Sequence, residues 1–475
     1  MASHAARINR KEPLSLTRTF SLPTLIAGLF LLSLCGCASA PVVVGDGKIE
    51  KILEPITGVT TADVEKAAPI SEMGFWDVYT LAVERTERLA SKAEDIEQAE
   101  AQGQQAIASV LPQITLNDSK SWQSTSYIYG APNTFITPLG NSIYLSGTET
   151  LFTGLDQVSA VQGAQALKDQ NLHNLRQDGR DLLLSLARSF YSVLQLQQSL
   201  QSKQETEKLN EQVLQQEQQW RAVGRSRNSD VLTTEAQLAQ LKGDMEAIHS
   251  QISIARDNFV ILTGLETNQV LKSEEPLPTP PPYTLKEAVT KVDSRSDVLS
   301  AKAGVDLADA GLLQAHGQHL PSLAVQGKYY LEQEGGSPTA DWNVQLVASL
   351  PLFEGGAIFA KERLAASKKR QAELQYSLAR RQALQDIRGA YSALATSLRE
   401  VDAYGKALDA AQKDYEAVAH DRKLALNTNL DVLQSLTQLQ TAKNNYNTVH
   451  YQTLINSIWL GVATGELPKT KNPTP

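Results

Sequence analysis

Apolar and polar residues alternate with two different periods along this chain. Ala301, Val305, Ala308, Leu312, Ala315 and His319 recur at spacings of four and three, which is one face of a helix. Ile96, Ala99, Gly103, Ala106 and Val110 do the same. Most of these residues are small, so each seam predicts a neighbouring helix at close approach. Pro112 and Pro321 are expected to end the two helices, because proline has no amide hydrogen to continue the ladder. Directly beyond them the period becomes two. Leu323, Val325, Gly327, Tyr329 and Leu331 alternate with Ser322, Ala324, Gln326, Lys328 and Glu332. After the turn at Gly335-Gly336-Ser337-Pro338, Trp342, Val344, Leu346, Ala348, Leu350 and Leu352 alternate with Asp341, Asn343, Gln345 and Ser349. The pattern fits a lipid-facing barrel wall, and equally a half-buried hairpin on a soluble core. The first copy is less regular, since Ile114, Leu116 and Trp122 share a face with Asp118 and Lys120, and its loop from Tyr127 to Ser142 is longer.

Long helical stretches follow each hairpin. Residues Gly154 to Arg221 and Gly355 to Arg422 predict helices of about 100 Å at 1.5 Å per residue. A break and a returning helix come after each, over Thr234–Leu262 and Ser435–Val462. Short connections make neighbours antiparallel, so each copy is a long helical hairpin that cannot bury its apolar stripe alone.

These elements occur twice. Leu151-Phe152-Thr153-Gly154 matches Leu352-Phe353-Glu354-Gly355 at an offset of 201, as do Asp230-Val231-Leu232 with Asp431-Val432-Leu433 and Thr263-Gly264 with Thr464-Gly465. Arg188-x-x-Tyr191-Ser192 matches Arg388-x-x-Tyr391-Ser392 at 200, which implies a one-residue slip. Leu111-Pro112 matches Leu320-Pro321 at 209, so the first copy carries eight extra residues in its hairpin. Collinear matches over this length mark a structural duplication. The first repeat is read as residues 75–265 with a hairpin over 113–152, the second as 285–467 with a hairpin over 322–352. A stiff Pro-rich connector, 266–284, joins them, and 468–475 form a tail.

Composition narrows the class. Formal net charge is −8 and aromatic residues make up 6% of the chain, which speaks against a nucleic-acid surface and a large aromatic core. Arg7, Arg10, Lys11 and Arg18 precede the apolar run Leu22 to Leu34, a basic leader with a core of secretion-signal length. It ends in Leu34-Cys35-Gly36-Cys37, similar to a bacterial lipobox, in which Cys37 is lipidated and residues 1–36 are removed; the alternative is a plain signal cut near Ala38 or Ala40. Residues 38–74 are then an N-terminal linker. Only two Cys are present, so no disulfide survives lipidation. Beyond the signal no apolar run is long enough for a spanning helix, so any passage through a membrane requires strands, and strands require a closed barrel.

Taken together, the Leu-Pro pairs, the Leu-Phe-x-Gly pairs and the two interhelical tips resemble the TolC-like outer membrane efflux family, across about residues 75 to 467. The first tip reads Val223-Gly224-Arg225-Ser226-Arg227-Asn228-Ser229-Asp230-Val231 and the second Leu424-Ala425-Leu426-Asn427-Thr428-Asn429-Leu430-Asp431-Val432. The resemblance implies a mainly helical fold with a membrane barrel. Three chains of four strands would close twelve strands, which one chain cannot do. It further implies an outer-membrane lipid setting, a helical periplasmic tunnel, and tips docked on a periplasmic adaptor coupled to an inner-membrane pump of RND or ABC type. The expected function is a passive exit duct for efflux or type I secretion; the alternative is a periplasmic coiled-coil scaffold lipoprotein without a pore.

By position in the resemblance, Asp431 and Asp230 are gate candidates at a threefold axis, where converging carboxylates would repel. The competing reading makes each a helix N-cap, with Gln434 and Thr233 three residues on. The sequence departs from the family pattern in having Gln434 for a second Asp, and Arg422 and Asn427 for an aromatic and an Arg that tie the tip. Arg225 and Arg227 are candidates to replace those ties by pairing with Asp431 or Asp230. Val223, Gly224, Leu424, Ala425 and Leu426 are the adaptor-contact candidates. Trp122, Trp342 and Tyr144 are candidates for the membrane–water boundary. No phosphate-binding Gly-rich loop and no catalytic constellation is present, so neither enzyme activity nor a cofactor is expected. His316 and His319 lie three apart without an acidic partner in sequence, and no metal site is expected.

Overall fold

The computed structural model describes residues 57, 59–67, 72–122, 127–128, 131–132, 139–265, 269–273, 276–334, 341–424 and 426–466. The leader, Cys37, Ala425, the tail from 467 and the Gly335–Pro338 turn lie outside them.

Each repeat has one helix, a strand pair, a 67-residue helix and a 36-residue helix. In the first these are α3 (Glu87–Ala108), β2 (Gln113–Trp122) with β5 (Leu139–Thr153), α4 (Asp156–Ala222) and α5 (Asn228–Thr263). In the second they are α7 (Ser296–Gly317), β7 (Ser322–Glu334) with β8 (Trp342–Ser349), α8 (Ala357–Lys423) and α9 (Asn429–Thr464). Short elements complete the chain: α1 (Thr61–Ala67), β1 (Glu72–Met73), α2 (Phe75–Arg85), the two-residue strands β3 (Tyr127–Ile128) and β4 (Ala131–Pro132), β6 (Val270–Leu271) and α6 (Leu285–Thr290).

The duplication is kept to the residue at the helix ends. Both ends of α8 and α9 lie 201 positions after those of α4 and α5, and α7 lies 209 after α3. Both long helices therefore have the same length, so the 200-residue offset of the Arg-x-x-Tyr-Ser match leaves no net slip. That match stands about 100° around the helix from its true equivalent. The α3 and α7 helices stop at Ala108 and Gly317, one turn before Pro112 and Pro321. The residue before a proline is itself pushed out of the helical region, and the chain has already turned by then.

The α4 helix packs against α3, α5, α7 and α9, and α8 packs against α7 and α9. The N-terminal end of α3 meets the C-terminal end of α5, and α7 meets α9 in the same way. At the first joint the Thr86 hydroxyl donates to Leu262 O at 3.4 Å; at the second, Arg295 Nη1 donates to Ala463 O at 3.0 Å. The largest core lies beside the first joint, where Phe75, Tyr79, Phe190, Tyr191 and Phe259 pack together. Residues read as a plain linker contribute to it: β1 pairs with β6 in parallel, and Ala67 and Met73 are buried.

The small-residue seam is only partly buried in both helices. In α3, Ile96 and Ala99 are buried, while Gly103, Ala106 and, just past the helix, Val110 are half-buried. Of the seam in α7, Ala315 is buried, Ala301, Val305, Ala308 and Leu312 are half-buried, and His319, just past the helix, is exposed; the other buried positions of α7 are Ser296, Val298, Ser300, Ala303, Ala310 and Gly317. The reason in α7 is that it touches both α4 and α8, so two stripes at helical spacing are each partly covered.

The four long strands form one antiparallel sheet in the order β2-β5-β7-β8. Its register sorts the faces. Leu116–Leu145–Tyr329–Trp342 and Ile114–Gly147–Gly327–Val344 are rows of one face; Thr115–Ser146–Lys328–Asn343 and Gln113–Thr148–Gln326–Gln345 are rows of the other. Asp118 pairs with Ile143, so it does lie on the apolar side. The simple alternation fails at one point of β7. A bulge at Leu331 places Tyr330 opposite Tyr144 and Glu332 opposite Ile143, so Glu332 takes the apolar parity. The β8 strand stops at Ser349, so Leu350 and Leu352, expected in its apolar row, lie beyond it.

Candidate functional site

Two regions carry the features expected of function: the sheet and the interhelical tips. The apolar face of the sheet is open, with Ile114 73% and Leu346 67% exposed, and so are Leu116, Tyr329, Trp342 and Val344. Water does not favour such a continuous face. The outer edges of β2 and β8 have no strand partner among the described residues, leaving rows of backbone donors and acceptors unpaired. No helix among the described residues is long and apolar enough to cross a membrane.

In the first tip, α4 ends through Gly224, whose φ of +72° suits a residue without a Cβ, and Arg225 N donates to Trp220 O at 2.7 Å. In the second, Leu424 N and Leu426 N both donate to Asp421 O. The exposed apolar side chains Val223, Leu424, Leu426 and Leu430 gather on these two turns.

Neither tip aspartate is an N-cap. Thr428 is the cap of α9, and Asp431 stands at the third helical position in a capping box. Its carboxylate accepts from Thr428 N at 2.8 Å and from the Thr428 hydroxyl at 2.6 Å. That hydroxyl, with the backbone donor beside it, holds Asp431 below the usual carboxylate range. Asp230 takes the same place in α5, accepting from Arg227 N at 3.3 Å and from the Ser226 hydroxyl at 3.4 Å. Thr233 turns instead to Ser229 O.

The tie between the tips joins Arg422 and Asn427, two of the positions where the sequence departs from the family pattern, to Glu217 and Trp220, which sequence reasoning passed over. Arg422 Nη2 lies 2.6 Å and Nε 3.1 Å from Glu217 Oε1, and its Nη1 donates to Asn427 O at 2.9 Å. The guanidinium stacks over Trp220 at 4.7 Å, and the Ser226 hydroxyl donates to the other Glu217 oxygen. Glu217 is 1% exposed, so this pair is removed from water, unlike an ordinary surface ion pair. Asn429 adds a second tie, donating to Asp230 O at 3.1 Å and to the Thr234 hydroxyl at 3.0 Å. Among the described residues, Arg225 and Arg227 make no ion pair with Asp230 or Asp431. An Arg and a Glu 205 positions apart carry no joint pattern in sequence, so only the fold reveals them.

His316 and His319 do have an acidic neighbour: Glu362 of α8 lies 3.4 and 3.2 Å from their Nε2 atoms. His319 also packs on Phe359. Among the described residues, no group of three His, Cys, Asp or Glu is arranged to hold a metal ion.

The chain is 23% identical to Outer membrane protein TolC of Escherichia coli (strain K12) over 443 residues, 88% of this chain and 87% of that protein. It is 23% identical to Alkaline protease secretion protein AprF of Pseudomonas aeruginosa over 304 residues, covering 61% of this chain and 62% of that one. Among solved structures, the CmeC outer membrane channel of Campylobacter jejuni superposes with a TM-score of 0.75 at 16% identity, over 84% of this chain and 87% of that one. The outer membrane protein VceC of Vibrio cholerae gives 0.73 at 17% identity, over 83% and 96%. At these identities the structures establish the shared fold. The pattern of the Outer membrane efflux protein family matches residues 78–264 and 292–466, two blocks that follow the duplication. With most of its length covered by that pattern, the chain belongs to the outer membrane efflux protein family.

Proposed function

We propose that this chain is an outer-membrane exit duct working as a homotrimer. Three four-stranded sheets join edge to edge through β2 and β8 into a twelve-stranded barrel, and the long helices continue it as a periplasmic tunnel. The observation that carries the proposal is the sheet itself: one exposed apolar face, one polar face and two unpaired edges. Closure satisfies the edge groups, lipid covers the apolar face, and the polar face becomes a wet lumen. A pore-free scaffold has no need of such a wall.

The membership of the family and the names of relatives such as AprF support export as the task. The tips, with exposed Val223, Leu424 and Leu426, are the proposed contact for a periplasmic adaptor, itself coupled to an inner-membrane pump of RND or ABC type. Asp431 and Asp230 are proposed to edge the periplasmic opening. In this reading Cys37 carries the lipid that tethers the mature chain to the outer membrane. The duct is passive, and direction comes from the pump.

The test is to purify the protein from outer membranes, cross-link it, and record single channels in a planar bilayer. Trimers with discrete conductance steps are expected. Monomers with no conductance, or a protein released from membranes by removing the lipid alone, would sink the proposal and favour the scaffold. Asp431→Ala should then change cation block of the open channel; unchanged block would return Asp431 to its capping role alone.

A further inference from the structure

We infer that Lys328 sets the charge preference of the barrel lumen, where its three copies form a cationic ring that favours anionic solutes. The inference rests on the trimeric duct proposed above. Register places Lys328 on the polar face of the sheet, between Ser146 of β5 and Asn343 of β8. Among the described strand residues of that face, Lys328 is the sole side chain with a formal charge.

The ammonium is held in place. It stands 5.1 Å from the centroid of the Tyr144 ring, and Tyr144 packs against Tyr330 at 5.4 Å. A cation over a ring at an exposed site contributes about 0.5–1 kcal/mol, enough to bias a flexible stem toward one position. The Leu331 bulge follows Tyr330 directly, and bulges commonly re-aim side chains beside functional positions. Among the described residues Lys328 makes no ion pair. Asp341, just before β8, has the parity of this face, and its carbonyl accepts from Tyr330 N at 2.8 Å without pairing its carboxylate to Lys328. An unneutralised ring of ammonium groups lining an aqueous path raises the local concentration of anions relative to cations.

The test is the reversal potential of purified trimers under a potassium chloride gradient, for wild type, Lys328→Gln and Lys328→Glu. The chloride-to-potassium permeability ratio should fall severalfold in Lys328→Gln and further in Lys328→Glu. An equal ratio in all three overturns the assignment while leaving the duct in place. Where trimers pass no current, Lys328→Cys and Leu346→Cys are compared with a water-soluble maleimide added to intact cells. Labelling of the first and not the second supports the inference, and the reverse overturns it. Absence of cross-linked trimers in every variant is instead the failure of the duct proposal.

Discussion

Arg295 donates to the carbonyl oxygen of Ala463 from 168 positions away, at the joint where α7 meets the end of α9. Its duplicate in the first repeat is Thr86 on Leu262. Both are the residue preceding their helix, and both cap the last turn of the helix stacked against it. The two versions differ in weight. Arg295 is 4% exposed and also binds Asp297 at 2.7 Å and Asp386 at 3.2 Å, so the guanidinium neutralises two carboxylates while satisfying a carbonyl. Arg295→Met should destabilise by about 1.5–3 kcal/mol, the cost of removing a charged donor from a buried carbonyl, while Asp297 and Asp386 keep access to water. Thr86→Val loses one long hydrogen bond and should cost about 1 kcal/mol. Thermal unfolding of the two variants in detergent tests the order; equal losses would mean that Arg295 is not buried as described.

The Arg422–Glu217 tie predicts a non-additive pair. Arg422→Ala leaves Glu217 charged and buried at 1% exposure, so the tips should loosen. The expected result is faster proteolysis between residues 223 and 228. Glu217→Gln on top of Arg422→Ala removes the buried charge and should restore part of the protection. A double variant cleaved faster than Arg422→Ala would show that the tie acts through something other than charge.

Gly154 and Gly317 meet where β5 turns into α4. Gly154 has φ +66°, and a Cβ there would strike Gly317 O; a Cβ on Gly317 would lie 2.6 Å from Leu155 N. Both neighbours are backbone and cannot step aside. Gly154→Ala adds a left-handed penalty of about 1–2 kcal/mol to the collision. Either substitution should reduce the yield of folded protein and its melting temperature. Gly243→Ala is the control, since it meets nothing within 4 Å in mid-helix and should be neutral or gain up to about 1 kcal/mol. A neutral Gly317→Ala would mean the two segments are not in contact.

Much of this architecture is legible in the residues. Leu-Phe-x-Gly and Thr-Gly recur because Gly154 and Gly355, and Gly264 and Gly465, all sit at positive φ at element ends, where few other residues fit. Period-two alternation marks β7 up to Tyr330 because each apolar side chain needs the same face. It misleads beyond Leu331, since a bulge reverses parity without altering composition. The seam of α7 is ambiguous for a related reason: a helix with two neighbours shows two stripes, and small residues occupy both. The tips were readable as helix ends through Gly224, but the sequence reading sets the cap of α9 three residues late, at Asp431, because an Asp suits both the cap and the third position of a capping box. The tie between the tips was not readable, because Glu217 and Trp220 lie inside a long polar helix and look like any solvated pair until Arg422 is brought against them.

The acid response should divide into two windows, each traced to a named group. Burial pushes the imidazoles of His173 and His450 down, and Arg176 pushes His173 further. An unfolded chain then binds protons at these sites that the folded chain refuses. Their stability contribution is intact above the unfolded value of about 6.5 and is lost as pH falls below it toward the lowered folded values. Asp431 behaves with the same sign at lower pH. Its carboxylate is held down chiefly by the Thr428 hydroxyl, so its contribution is intact above about 3.9 and is lost as pH falls through the folded value beneath that. His450→Gln should therefore flatten the loss of melting temperature between pH 7 and pH 5, with His173→Gln adding to it. Thr428→Val should leave that interval unchanged and speed amide exchange in the first turn of α9 near neutral pH, where the box is fully formed. If Thr428→Val altered the interval between pH 7 and pH 5 as much as His450→Gln, Asp431 would be titrating near neutrality, as a carboxylate crowded by its own copies would, and the capping box would not be its governing contact.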